Sequence, residues 1–469
     1  MVNRKDIEKK SKKELVDFTC ELFTMVEALT KTVQSLEDEI KSLKTTKNSG
    51  NSSFPPSRDL FKCKNQSLRE KSNKKSGGQK GHKGKTLLMS PNPDNIIVHN
   101  PNNHCPKCGR IHSNTDLKIT AKRQVIDIPV IEASITEHQV YQTNCTCGHV
   151  LVGDFPSDVS APVQYGNNLV ALTAYLSSRQ YIPYARLTEL IKSITNISIS
   201  EGTVFNLLNK ASDAVLPLYK AIENEVSNSN VVGGDETGMK VMKGKYWAWT
   251  WQTVKATYIH IAESRGFVTI DNIFPNGFPN ATYVSDSLSA QLKTFAKRHQ
   301  LCLAHLMREL NYFNELYQHR WALDMKVLFK KAILLKNTMS LEQYENPNQE
   351  RDKILKEFNL LINEKLPNTI LKTFPFQKRL KKRCDQIFIF LFYPEVPYDN
   401  NSSEQAIRNV KVKQKVSGSF RSIRGAEMFA ILRSVFDTIN KKGGSPFESM
   451  QLAISLAAAK KQLCINQPE

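Results

Sequence analysis

No apolar run in the sequence approaches the about 18 residues that a membrane-spanning helix requires, and the N-terminus lacks the apolar core of a secretory signal peptide. Cysteine is sparse: the 9 thiols are odd in number and mostly isolated, which excludes the disulfide framework of a small secreted scaffold. Acidic residues are also short, 45 Asp and Glu against 65 Lys and Arg, leaving a formal charge of +20. These absences argue against an integral membrane protein and place the chain in a reducing cytosol. The basic excess calls for a polyanionic partner, and a nucleic-acid backbone is the commonest one.

The 469 residues suffice for about three domains with real cores. In residues 1–46, Leu15, Leu22, Leu29, Leu36 and Leu43 recur every seven positions, with Thr19, Val26, Val33 and Ile40 three residues before the last four. Leucine at d with mostly β-branched residues at a favours a parallel two-stranded coiled coil and hence a homo-oligomer. An amphipathic helix packed on its own domain is the alternative. Residues 47–100 are rich in Ser, Asn, Lys and Gly, including NSSFPPSRD and GGQKGHKG, and read as a basic flexible linker that can lie along DNA or simply be solvated.

Residues 101–155 form a cysteine module. Cys105 and Cys108, then Cys145 and Cys147, bracket a β-rich stretch, IDIPVIEASITEHQVYQTN, and two close thiol pairs resemble a structural zinc site of zinc-ribbon type. The second pair is one residue shorter than the usual C-x-x-C; His104, His112 and His149 are spare ligands, and free thiols are the alternative. Residues 160–225 turn helical. Tyr184 to Ile194 and a second helix capped by Ser200 have helix-turn-helix proportions, with Thr203, Asn206 and Lys210 on one face for a DNA groove unless the pair is plain scaffold.

The stretch Asn230 to Val241, NVVGGDETGMKV, reads as a buried strand ending at a polar site. Successive strand side chains alternate faces, so Asp235 and Glu236 cannot easily serve one site. After it come YWAWTWQT, TYIHIAES, a short helix near Gly266 to Ile273, the strand ATYVSD ending at Asp286, a helix through Gln291 to Lys297 and a strand LCLAHL. This order fits a mixed sheet covered by helices, a ribonuclease-H-like core over residues 229–310. A mostly helical insertion over 311–397, ending in the basic run QKRLKKRC, separates it from a closing helix within 398–424 and a C-terminal helical region over 425–469. In that closing helix Ser402 would be the N-cap, with Gln405 completing a capping box and Glu404 in the first turn. Glu404, Arg408, Lys411 and Lys415 then share a face, either a solvated stripe or an acid beside phosphate-holding bases. Two strand-end aspartates and a helical glutamate can converge on Mg²⁺, which takes oxygen ligands and suits two-metal phosphodiester chemistry.

Together the long motifs NSSFPPSRD, GGQKGHKG, APVQYG, YLSSRQYIPYARL, GGDET, CLAHLMREL, DNNSSEQAIR, SGSFRSIRGAE and GGSPFESM resemble those of bacterial DDE transposases of the IS66 family, over nearly the whole chain. The resemblance implies a DNA transposase whose catalytic acids are Asp235, Asp286 and Glu404, binding Mg²⁺ or Mn²⁺, with His305 and Arg308 in a supporting role. Cys302 and His305 alone are too few ligands for a metal site of their own. It further implies cleavage at the ends of an insertion sequence, joining of the freed 3′-hydroxyl to target DNA, double-stranded DNA as partner, and a bacterial cytoplasmic location on the nucleoid; whether accessory proteins of the same element are needed as partners stays open. A catalytically silent DNA-binding descendant and a nuclease that cuts without joining are the alternatives. Leu303, where the family more often has an aromatic, and the short Cys145–Cys147 pair are the departures.

Overall fold

The computed structural model describes residues 11–52, 81, 87–101, 104–111, 117–129, 131–156 and 158–465. His112 and nearly all of NSSFPPSRD and GGQKGHKG lie outside the described residues. The described residues divide into two compact units: those within Ser67–Ile135 with Ile194–Asn196, and the remainder. Among the described residues no helix is long and apolar enough to cross a membrane.

Helix α1 spans Lys12–Lys44. Its start is set by a capping box in which the Ser11 hydroxyl accepts from the Glu14 N–H and Glu14 Oε2 accepts from the Ser11 N–H at 2.8 Å, satisfying two donors that a helix start otherwise leaves orphaned. Leu22, Leu29, Leu36 and Leu43, with Val26, Val33 and Ile40, are all exposed along it. The segment after α1 docks on the larger unit: Asn51 Nδ2 donates to Glu315 at 2.5 Å and the Gly50 carbonyl accepts from Asn311 at 2.9 Å.

The expected β-rich stretch is mostly not strand. The described residues of 126–141 carry none, and Ile126, Ile128, Ile131 and Ile135 stand exposed. Alternating apolar residues make a strand only where a neighbour shares the hydrogen bonds. What forms is a hairpin, β1 (Gln142–Asn144) with β2 (Val150–Val152).

The helical region opens with α2 (Asn167–Ala174), which runs into a π-helical turn at Tyr175–Arg179. Helices α3 (Tyr184–Thr195), α4 (Glu201–Ala214) and α5 (Leu216–Ser227) follow. Ser200 caps α4 as anticipated, accepting from the Thr203 N–H at 3.1 Å.

The sheet consists of β3 (Val231–Val241), β4 (Gly244–Gln252), β5 (Thr257–Ala262), β6 (Phe278–Ser285) and β7 (Ala296–Leu301), in the order β5-β4-β3-β6-β7. The first three pair antiparallel, while β6 and β7 run parallel to β3. Helix α6 (Phe267–Ile273) makes the crossover to β6 and α7 (Ser289–Lys293) the crossover to β7. Two sequence expectations need correction here. The helix drawn through Lys297 ends at Lys293, and Ala296 and Lys297 open β7; the strand drawn over LCLAHL stops at Leu301, and helix α8 (Leu303–Tyr317) takes the rest. A short apolar run cannot be told from a buried helix turn by periodicity.

Trp249 and Trp251, alternate residues of β4, stack at 5.7 Å on one face of the sheet and are fully buried. The other face buries Met239, Val241, Ala248, Ile259 and Ile261 against Val410, Phe420, Ala426 and Phe429. Those partners belong to or flank α13 (Asn401–Ser417) and α14 (Ile423–Lys441), which follow the helices α9 (Arg320–Thr338), α10 (Leu341–Glu345), α11 (Gln349–Asn363) and α12 (Thr373–Lys382); α15 (Pro446–Ile465) closes the chain. The edge strand β5 is covered by α14: Ser434 Oγ accepts from the Ile259 N–H at 2.9 Å and Thr438 Oγ1 from the Thr257 N–H at 3.0 Å. These contacts occupy donors that an open edge would offer to another chain.

Candidate active site

Strand register brings the two aspartates together. Val231, Val232 and Gly233 of β3 pair with Thr282, Tyr283 and Val284 of β6, an offset of 51 residues, and Asp286 lies the same 51 beyond Asp235. Continuing the ladder sets Asp286, the residue after β6, beside Asp235. The Asp286 carboxylate accepts from the Leu288 N–H at 2.7 Å, which fixes it at the turn into α7.

Glu404 arrives from α13. Its helix can approach β3 because position 233 is glycine: a Cβ there would sit 2.6 Å from Ser403 Oγ and 3.0 Å from Asn400 Oδ1. At Gly234 a Cβ would meet the Tyr283 hydroxyl at 2.1 Å, so the second glycine admits the buried tyrosine of β6. The N-cap of α13 is Asn400 and not Ser402, and Gln405 completes no capping box. The reason is tertiary. Asn400 is buried and its amide is spent across the site: Nδ2 donates to the Gly234 carbonyl at 2.6 Å, Oδ1 accepts from Ser403 Oγ at 2.6 Å, and the backbone N–H donates to Cys302 Sγ at 3.2 Å. Cys302 N–H in turn bonds the Ser285 carbonyl at 2.9 Å. Thus Asn400 and Cys302 tie the residue before each aspartate to the helix that carries Glu404. Sequence reasoning passed over Asn400 and weighed Cys302 only as a metal ligand; the signals for this tie were the repeated amides of DNNSSE and the lone cysteine of CLAHL.

The carboxylates feel one another. Burial first, then the charges of Glu236, Asp286 and, least, Glu404 push the Asp235 carboxyl well above its ordinary range, against the pull of the Glu236 N–H. Glu404 is held by bases: Arg308 at 3.2 Å, His305 Nε2 at 3.8 Å and Arg408 at 3.7 Å. His305 and Arg308 stand on the first turns of α8, so that helix faces α13 across the acid. Burial, reinforced by Arg308 and opposed by Asp286 and Glu404, keeps the imidazole neutral. Its Nδ1 is buried with no partner among the described residues, as is Oγ1 of Thr250, the β4 residue directly opposite Asp235. Burial pushes the Cys302 thiol up to about 12, so it stays protonated.

Glu236 leaves by the other face, as strand alternation requires. Arg265 Nε and NH2 donate to its Oε1 at 2.9 and 2.6 Å, and Gln291 Nε2 to its Oε2 at 2.8 Å. The remaining candidates are dispersed. Along α13, Arg408 and Lys415 are exposed, and Lys411 donates to the Gly238 carbonyl of β3. On α4, Asn206 is exposed, Lys210 donates to Asn167 Oδ1 at 3.3 Å, and Thr203 is engaged with the Ser200 cap.

Each cysteine pair sits in a tight turn. The Cys105 carbonyl accepts from Gly109 N–H at 2.9 Å and the Cys145 carbonyl from Gly148 N–H at 2.9 Å, and both glycines have positive φ, +69° and +87°. N–H groups of each turn aim at the first sulfur and lower its pKa, the condition a thiolate ligand needs. Among the described residues, no three His, Cys, Asp or Glu side chains are gathered closely enough to hold a metal ion.

Comparison with known proteins gives two family matches. The Transposase IS66 family matches residues 162–428, more than half of the chain and all of the sheet, and a family of unknown function (DUF6444) matches residues 7–87. No curated protein matches.

Proposed function

The chain belongs to the Transposase IS66 family, and from that premise we propose that it binds the ends of an insertion sequence, hydrolyses a phosphodiester bond there and joins the freed 3′-hydroxyl to target DNA. Membership makes it a DNA-processing protein of transposase type; the chemistry is our reading. The observation that carries it is the shared offset of 51 residues, which sets Asp286 beside Asp235 on adjacent parallel strands, with the Glu404 helix seated against Gly233. The strand order β5-β4-β3-β6-β7, three antiparallel strands followed by two parallel ones, supports a ribonuclease-H-like core.

A divalent ion such as Mg²⁺ or Mn²⁺ fits these residues by chemistry: the donors are carboxylate oxygens, and Asp235 is disfavoured as an anion by burial and then by its acidic neighbours, a penalty that a bound dication would offset. When bound, the metal would supply an activated oxygen nucleophile and stabilise the leaving oxygen. The side chains do the rest. Asp235, Asp286 and Glu404 would hold the ion after closing on it, since the three carboxylates do not stand close enough together here to form a ligand set. Arg308 orients Glu404, neutral His305 offers a hydrogen bond without adding charge, and Asn400 fixes the spacing between strand and helix. Arg408 and Lys415, exposed on the helix of Glu404, would hold DNA phosphates.

The test is a set of Asp235→Ala, Asp286→Ala and Glu404→Ala proteins assayed for Mg²⁺- or Mn²⁺-dependent cleavage of element-end DNA at one salt concentration. Each should lose cleavage while keeping DNA affinity, and Glu236→Ala should be milder. Cleavage retained by Glu404→Ala alone would move the third ligand to Asp399, whose carboxyl is raised by burial and by Glu404. Cleavage retained by all three sinks the shared site, and cleavage without strand joining selects the nuclease reading.

A further inference from the structure

The β3–β4 hairpin carries a charge pattern that neither the sheet nor the acids explain. Lys240 and Lys245 are direct partners in the ladder, so both leave by one face with their Cβ atoms roughly 5 Å apart. The turn between the strands, Met242 and Lys243, adds a third ammonium group. All three lysines are exposed, and none forms an ion pair with a described residue. Like charges directly opposite one another destabilise a hairpin, where an opposite pair would strengthen it. Lys245 also borders an aromatic platform: its Nζ lies 4.9 Å from the centre of the half-buried Trp247 ring, and the Arg265 guanidinium 5.0 Å from it.

The hairpin is held rigidly. Met242 N–H donates to the Phe420 carbonyl at 2.7 Å and Phe420 N–H to the Lys240 carbonyl at 3.2 Å, which seats the tip on the chain leaving α13. Lys240 lies five residues along β3 from Asp235, roughly 17 Å, and on the opposite face. Its ammonium group therefore stands apart from the acids.

We propose that the β3–β4 hairpin is a second binding site for the sugar–phosphate backbone of duplex DNA, with Lys240, Lys243 and Lys245 as its phosphate ligands. This rests on the transposase reading for the identity of the polyanion. A hairpin backbone already fixed loses little freedom on binding, and neutralising phosphates releases counterions.

The test uses full-length Lys240→Glu, the triple variant Lys240→Ala/Lys243→Ala/Lys245→Ala, and Lys356→Glu, on the exposed face of α11, as a control with the same charge change as Lys240→Glu. Anisotropy of a short labelled duplex of arbitrary sequence is followed over a salt series, alongside thermal unfolding. The triple variant should lower the slope of log K against log salt by roughly 0.9 for each phosphate it no longer neutralises. Lys240→Glu should weaken DNA binding more than Lys356→Glu does and yet raise the unfolding midpoint, because it turns a like-charged pair into an opposite one; a folding defect moves both readouts downward. Hairpin variants that bind with the affinity and slope of Lys356→Glu overturn this site and leave the transposase reading intact. A wild-type protein that binds no duplex overturns both.

Discussion

Gly233→Ala isolates the contact on which the proposed site depends. The new Cβ would lie 2.6 Å from Ser403 Oγ and 3.0 Å from Asn400 Oδ1, against 3.4 Å for ordinary contact, so α13 must retreat by up to 3.4 − 2.6 = 0.8 Å or β3 must bend. Both neighbours are buried, and Asn400 is anchored to Gly234 and Cys302, so neither can rotate away. Overpacking of this kind costs about 1–3 kcal/mol. A displacement near 1 Å at a catalytic constellation costs on the order of 10²-fold in rate. Ser403→Ala removes the closer atom, leaving the 3.0 Å contact and an Asn400 Oδ1 without its donor, which costs about 1 kcal/mol. The double variant should therefore be more stable than the sum of the two single effects by about 1 kcal/mol or more, and should regain much of the cleavage that Gly233→Ala loses. Urea unfolding of the four proteins measures the coupling, and metal-dependent cleavage of element-end DNA measures the second effect. Additivity within about 0.5 kcal/mol, the behaviour of independent sites, would refute the reasoning. So would a Gly233→Ala protein as stable and active as the parent.

Two further outcomes are expected. The exposed Leu and Val/Ile positions of α1 need a partner helix to bury them, so deleting residues 12–44 should shift the free protein from dimer or larger toward monomer in sedimentation; a full-length protein already monomeric at micromolar concentration would contradict this. The cysteine pairs should bind zinc, because each turn presents a sulfur with a lowered pKa; protein purified without chelator should carry zinc near one equivalent, and its absence together with free alkylation of Cys105, Cys108, Cys145 and Cys147 removes that assignment.

Local signals were legible in the sequence where local physics decides. Helix α1 was readable from a seven-residue repeat that no competing period disturbs, its start being fixed by a Ser11–Glu14 capping box that the repeat alone does not show, and Ser200 caps α4 through a bond to its own third residue. The strands from β3 to β6 were readable because β-branched and aromatic runs sit between turn residues. Errors fell where a neighbour decides. CLAHL has the composition of a buried strand but starts α8, whose first N–H, that of Leu303, bonds the distant Tyr398 carbonyl at 2.9 Å. Residues 126–141 alternate like a strand yet have no partner ladder among the described residues.

The N-terminus of α13 shows why the candidate site was only half readable. By local rules Ser402 and Gln405 make a good cap, and Asn400, as good a cap by residue type, lacks the Glu or Gln three residues on that completes a box. Here the Asn400 side chain gives nothing to the N–H groups of α13 and bonds the Gly234 carbonyl instead. That exchange moves the start of the helix back to Asn401 and still leaves Glu404 in its first turn, where the positive end of the helix dipole favours a carboxylate. It also demands that the strand come close enough to be bonded, which excludes a Cβ at Gly233. The two glycines before Asp235 and the asparagine before Glu404 are thus one device, written 166 residues apart, and only the folded chain brings its halves together.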